Sequence, residues 1–229
     1  MKIKVCGMRD ADNIRAVAGL GIDMIGFVFC QESLRHVSII SSKVGIISDK
    51  NDERLNKKHN KDMPVMRPQC VGIFVDDMPQ NIVTCVYNYD LDYVQLNGVE
   101  SGVMIENLRN TLVPDIKDDI KIIKALKVGT KADIEAYKKY EGKVDMFLFD
   151  MRFDLIGGGE KQVNWSILNE YDGQTPFLLG GTVGPDDAER IKSFRHPMFV
   201  GVDLNHLFEI APGVKDIERL RTFIENVKE

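Results

Sequence analysis

The 229 residues carry a formal net charge of -5, with 28% charged and 44% hydrophobic side chains. That balance describes a mildly acidic globular chain with ample material for one large core, and it lacks the basic excess by which proteins hold nucleic acid. No apolar run approaches the ~18 residues of a membrane span, and the chain enters a strand pattern without a secretory signal, so the expected location is cytoplasmic.

Four cysteines (Cys6, Cys30, Cys70, Cys85) and four histidines (His36, His59, His196, His206) form no CxxC pair and share no ligand spacing. This gives no support to a structural zinc site or a disulfide framework, and no metal is expected.

The stretch Lys2–Met8 reads as a first strand with Ile3 and Val5 on one face and Lys4 and Cys6 on the other, ended by Gly7. A helix follows, capped by Asp10 or Asp12, with Ile14, Val17, Ala18 and Leu20 at helical spacing and Gly19 or Gly21 closing it. Met24 to Phe29 is a near-continuous apolar run, the pattern of a parallel strand covered on both faces. The polar segment Gln31–Val37 then takes the place of a loop after the second strand, and from about 41 to 69 the chain makes a charged excursion with few apolar residues.

Strand three is predicted over Cys70–Val75, followed by a helix opening at Pro79 and running through Val86. Tyr93–Leu96 is strand four, ending in Asn97-Gly98, with Glu100 starting the next helix. Strand five is Lys121–Ala125, and Lys131–Tyr140 forms a helix. Strand six, Val144–Phe149, is closed by Asp150 and followed by the glycine-rich loop Ile156–Lys161 and a short helix containing Trp165, Ile167 and Leu168. Strand seven, Phe177–Leu179, runs into Gly180-Gly181-Thr182, and Pro185 and Asp186 start another helix. Strand eight, Met198–Val202, ends at Asp203, and Asp216–Val227 makes the last helix.

Eight strand–helix alternations at roughly 25 to 30 residues each predict an α/β fold, a single-domain (β/α)8 TIM barrel over residues 1–229. No GxGxxG follows the first strand, which removes the main support for a dinucleotide-binding sheet.

In such barrels chemistry sits at the carboxyl ends of the strands. Cys6 there is a base or nucleophile, or a buried structural thiol. Asp150, at the end of an apolar run, suits a general acid, with a helix cap or a salt bridge to Arg152 as the structural alternative. Gly180, Gly181 and Thr182 follow strand seven, where barrels often bind phosphate with backbone N–H groups. Arg35 could clamp a substrate carboxylate, and Asp203 would lie beside Lys4 and neutralise it inside the barrel.

Val5-Cys6-Gly7-Met8, Gly26–Phe29 with Ser33 and Arg35, Val71–Val75, Val94–Glu100, Phe149-Asp150, Trp165, Gly180-Gly181, Gly201–Asn205 and Pro212–Asp216 together resemble phosphoribosylanthranilate isomerase of tryptophan biosynthesis. The resemblance implies a cofactor-free aldose–ketose isomerase that performs an Amadori rearrangement of N-(5'-phosphoribosyl)anthranilate. It implies Cys6 as general base, Asp150 as general acid and Arg35 facing the anthranilate carboxylate. Gly180, Gly181, Thr182, Asp203 and Asn205 would then bind the phosphosugar substrate, in a monomer or a homodimer without nucleic-acid or membrane partners.

The chain departs from the family pattern mostly in the ligand loops. Asn97 stands for the family's histidine, Thr182 for its last glycine, Met151 for the residue after the acid, Gly158-Gly159-Glu160 for its Gly-Thr-Gly or Gly-Ser-Gly loop, and His206 and Leu207 precede Phe208-Glu209. A threonine takes positive φ only at a cost, and a carboxylate at Glu160 would repel phosphate. The alternatives to an active isomerase are therefore a barrel that binds a phosphosugar or a partner without turnover, and a related barrel acting on another phosphosugar.

Overall fold

The computed structural model describes residues 1–38, 67–151 and 163–228. Eight parallel strands pair in sequence order into a closed barrel: β1 (Lys2–Val5), β2 (Met24–Val28), β3 (Gln69–Phe74), β4 (Tyr93–Leu96), β5 (Lys121–Val128), β6 (Met146–Met151), β7 (Phe177–Gly180) and β8 (Phe199–Leu204). Outside it stand helices α1 (Ala11–Ala18), α2 (Pro79–Tyr89), α3 (Gly102–Asp115), α4 (Lys131–Ile134), α5 (Ala188–Ser193) and α6 (Ile217–Lys228), with 3-10 turns such as Trp165–Glu170. No described helix is long and apolar enough to cross a membrane.

Alternation along each strand separates two apolar layers. Met24, Val28, Val71, Ile73, Tyr93, Ile123, Met146, Leu148 and Leu178 fill the barrel interior. Their neighbours Ile3, Val5, Phe27, Val94, Phe147, Phe149 and Phe177 face outward to meet the helices. Each fully buried side chain of this size contributes about 1.5–3 kcal/mol, so the paired layers dominate the stability of the closed sheet.

The barrel's lower rim uses one device three times. An aspartate just before an even-numbered strand accepts the amide of the second residue of the preceding strand: Asp23 from Ile3 at 2.8 Å, Asp92 from Cys70 at 2.7 Å and Asp145 from Ile122 at 2.7 Å. Each bond fixes a strand start, and with it the height at which that strand delivers its last residues to the opposite rim.

Several boundaries differ from the sequence reading. Asp150 lies within β6 and not beyond it, and β5 runs three residues past Ala125 to Val128. Lys131–Tyr140 is only one α turn before it tightens to 3-10 over Glu135–Lys139. Glu100 does not start a helix: Ser101 caps α3 by accepting from Met104 N, while Glu100 turns to a buried lysine on the outer face of β5. A hairpin of β9 (Glu209–Ala211) and β10 (Val214–Lys215) precedes the last helix, and the sequence reading contained no such element. The predicted excursion over 41–69, up to residue 66, and the loop Ile156–Lys161 with Glu160 and Arg152 lie outside the described residues.

Candidate active site

The upper rim of the barrel interior collects Lys4, Cys6, Gln95, Asp150, Gly180 and Asp203, each on the inward face of its strand or just past its end. Register places Lys4 beside Asp203 and Asp150 beside Gly180, so the four consecutive strands β6, β7, β8 and β1 carry these residues around one half of the mouth. Cys6 stands above Lys4, its own amide still bonded to Leu204 O at 2.9 Å. Thus the expected acid and base, 144 residues apart in the chain, point into one cavity mouth from different walls.

Two glycines leave room next to these groups. A Cβ at Gly26 would lie 3.2 Å from the Cys6 sulfur, and one at Gly180 would lie 2.9 Å from Leu148 Cδ1 and 3.2 Å from Asp203 Cβ. Gly181 is constrained differently: its φ is +85°, and a Cβ would meet Met151 O at 2.2 Å and Asp150 Oδ1 at 2.5 Å. The glycine therefore lets the backbone of the loop after β7 pass directly against Asp150. The left-handed conformation falls on Gly181 and not on Thr182, so the strain expected from a threonine in this loop does not arise. Thr182 Oγ1 is buried without a hydrogen-bond partner among the described residues.

Charge around the thiol is dense. Lys4 is fully buried, 3.0 Å from Asp203 Oδ1 and bonded at 2.7 Å to Gln95 Oε1. Burial works against its ammonium, yet Asp203 and Cys6 outweigh that and leave its pKa raised. Asp203 is only 8% exposed and stands against Lys4 as the counter-charge to the lysine.

The loop after β2 folds back through Val37 N to Val28 O and carries Arg35 over Gly7, where a Cβ would strike Arg35 Cδ at 2.6 Å and Asn205 Oδ1 at 2.8 Å. Arg35 grips Glu209, its Nε 2.9 Å from Oε1 and its Nη2 on Oε2. The expected carboxylate clamp thus already holds an internal carboxylate on one edge. No hydrogen bond joins its Nη1 to a described residue. The β9–β10 register brings Lys215 opposite Glu209; its Nζ contacts Glu209 Oε1 at 2.7 Å and Asn205 Oδ1 at 2.9 Å.

Lys215 and Gln95 are the residues that sequence reasoning missed. Lys215 lay in the quoted Pro212–Asp216 motif, but only the hairpin shows that it turns inward. Three cations (Lys4, Arg35, Lys215) face two carboxylates (Asp203, Glu209), so the wall around Cys6 carries a positive excess that suits an anionic ligand.

Cys6 itself is 5% exposed. Burial pushes its thiol up, the three cations pull it back, and the balance stays above the ordinary value.

Residues 3–226 match the family described as N-(5'-phosphoribosyl)anthranilate (PRA) isomerase. The chain belongs to the N-(5'-phosphoribosyl)anthranilate isomerase family. An isomerase of that name from Parabacteroides distasonis is 42% identical over 227 residues, covering 99% of this chain and 93% of the relative. One from Phocaeicola vulgatus is 33% identical over 229 residues, covering 100% and 98%. A crystal structure of a phosphoribosyl anthranilate isomerase in complex with reduced 1-(o-carboxyphenylamino)-1-deoxyribulose 5-phosphate shares the fold at a TM-score of 0.75 and 24% identity, covering 100% of this chain and 98% of that one. Every expected site residue of this phosphoribosylanthranilate isomerase homologue falls inside the matched span.

The Glu209 pair also governs acid stability. Burial alone would raise this carboxyl, but hydrogen bonds from Arg35 and Lys215 prevail and bring its pKa from 4.5 down to about 2. A folded-state pKa below the unfolded one adds stability that is complete above about pH 4.5 and lost as pH falls toward 2. Glu209→Gln should remove about 2–3 kcal/mol at pH 7 and flatten this acid limb, read by urea unfolding at pH 7 and pH 3.

Proposed function

We propose that the chain acts as an N-(5'-phosphoribosyl)anthranilate isomerase in which Asp150 is the acid and Cys6 the base of an Amadori rearrangement. The observation that carries this reading is their shared place on the inward face of one barrel mouth, with a glycine beside each. Asp150 gives a proton to the ribose ring oxygen; the C1'–O bond breaks as the anthranilate nitrogen lone pair forms a C1'=N bond. Cys6, as thiolate, then removes the C2' proton, and the C2'–H electron pair becomes a C1'=C2' double bond while the C=N electrons return to nitrogen. The enol loses its hydroxyl proton as C1' gains one, giving the aminoketose. Only protons move, so side chains suffice without a cofactor.

The substrate carries two anionic groups. The anthranilate carboxylate suits the free edge of Arg35 near Lys215, and the phosphate suits the Gly180–Thr182 backbone with the turn His206–Phe208 after β8. The described cysteines are all unpaired, in keeping with a reducing, cytoplasmic setting. A second reading, a barrel that binds a phosphosugar without turnover, draws on the low exposure of Cys6 and the engagement of Arg35 by Glu209.

Turnover by the purified protein separates the two. Because the base is the thiolate and burial favours the thiol, kcat/KM should climb steadily with pH from 6 through 8. Conversion that is flat over this range would remove Cys6 from the role of base, and no conversion with intact binding of the product would favour the second reading.

A further inference from the structure

Gln95 is 1% exposed in the barrel interior and reaches across it to a residue 91 positions earlier. An ammonium only donates, so the oxygen of Gln95 must face Lys4 and its amide nitrogen must face away. That nitrogen lies 2.8 Å from Asn97 Oδ1, at the end of β4. The direction of each bond from Asn97 through Gln95 to Lys4 is therefore fixed by chemistry alone, and an asparagine oxygen accepts at every pH.

The turn that presents Asn97 is pinned from behind. Lys124, 1% exposed on the outer face of β5, donates to the carbonyls on both sides of Asn97, Leu96 O at 3.1 Å and Gly98 O at 2.7 Å, and to Glu100 Oε2 at 2.9 Å. Glu100 Oε1 accepts from Asp76 N and Gly98 N, both at 3.0 Å. Two buried lysines on opposite faces of the sheet are thus joined through one short turn.

We infer that Gln95 is a positioning residue: tied to Asn97, it divides the Lys4 ammonium between itself and Asp203 and so keeps that charge under the Cys6 thiol. This rests on the reading of Cys6 as base. Without Gln95 the ammonium has Asp203 as its remaining strong partner and shifts toward β8, away from the sulfur. The charged groups that face this assembly are Asp203 from β8, Cys6 from β1, Lys215 from the hairpin and Arg35 from the loop after β2, with Lys124, Glu100 and Asp76 behind Asn97.

Gln95→Met keeps the volume and removes both hydrogen bonds; Gln95→Glu keeps the shape and adds a carboxylate that competes for Lys4. Both should lower kcat roughly tenfold or more with KM nearly unchanged, since Gln95 touches no substrate. Both should also move the pH midpoint of iodoacetamide alkylation at Cys6, followed on its own peptide by mass spectrometry, to higher pH. A side chain that merely fills the barrel would leave that midpoint in place in Gln95→Met. Wild-type kcat and an unmoved alkylation curve in both variants would overturn the inference. A moved curve in a protein whose wild type converts no substrate would leave the relay standing and sink the proposed reaction instead. If Gln95→Met fails to fold, the Gln95→Glu curve decides.

Discussion

Cys6→Ala should lower kcat on the order of 10^3-fold while KM changes little, because a positioned general base contributes about 10^2 to 10^4 in rate and the thiol adds little to ground-state binding. The loss should be chemical and not structural. Cys6 sits at the upper edge of the interior cluster with Gly26 beside it, so removing one sulfur leaves a small gap in a region that already tolerates a missing side chain. Cys6→Ser makes the distinction sharper: a hydroxyl fills nearly the same space and stays protonated next to the same cations, so its kcat should fall about as far while thermal unfolding remains near wild type. A serine variant with more than about a tenth of wild-type activity would mean that the group at position 6 is not the base.

The second large effect concerns folding. Glu100→Ala should cost about 3–5 kcal/mol in urea unfolding, the usual loss when one partner of a buried ion pair is removed. Lys124 would keep only two carbonyl oxygens and the ring of Tyr140, 5.4 Å from its ammonium. The amides of Asp76 and Gly98 would lose their acceptor at the same time. Pairing it with Lys124→Met removes the stranded charge but not the loss of the acceptor for the two amides, so the double variant should recover only part of the loss; equal damage in single and double variants would show that the pair is not what the site depends on.

Much of the candidate rim was legible in the chain because period-two alternation in β1 alone puts Lys4 and Cys6 on one face, and apolar runs leading into Asp150 and Asp203 mark the upper ends of two more strands. Pairing Lys4 with Asp203 followed from closure, since β8 must lie beside β1. Contacts that cross the barrel were not legible: Gln95 sits in a strand whose pattern reads Val-Gln-Leu, and nothing in four residues says that its inward partner is Lys4. Glu209 and Lys215 meet through strands of three and two residues, too short to leave a periodic signal. Glu100 misled because an acid near a helix start reads as a first-turn residue; Ser101 already supplied the cap, and a lysine on the next strand claimed the carboxylate. The strain expected at Thr182 failed for a related reason, since the sequence shows which residue replaced a glycine but not which neighbour holds the positive φ.

The most direct test of the assignment of acid and base is rapid mixing of substrate with Cys6→Ala and Asp150→Asn in deuterated water, following ring opening by the absorbance of the conjugated imine and the C2' hydrogen by mass spectrometry. Cys6→Ala should open the ring and accumulate the imine with its C2' hydrogen retained, whereas Asp150→Asn should hold the sugar closed. Accumulation of the same species in both variants, or exchange of the C2' hydrogen at the wild-type rate without the thiol, would contradict it.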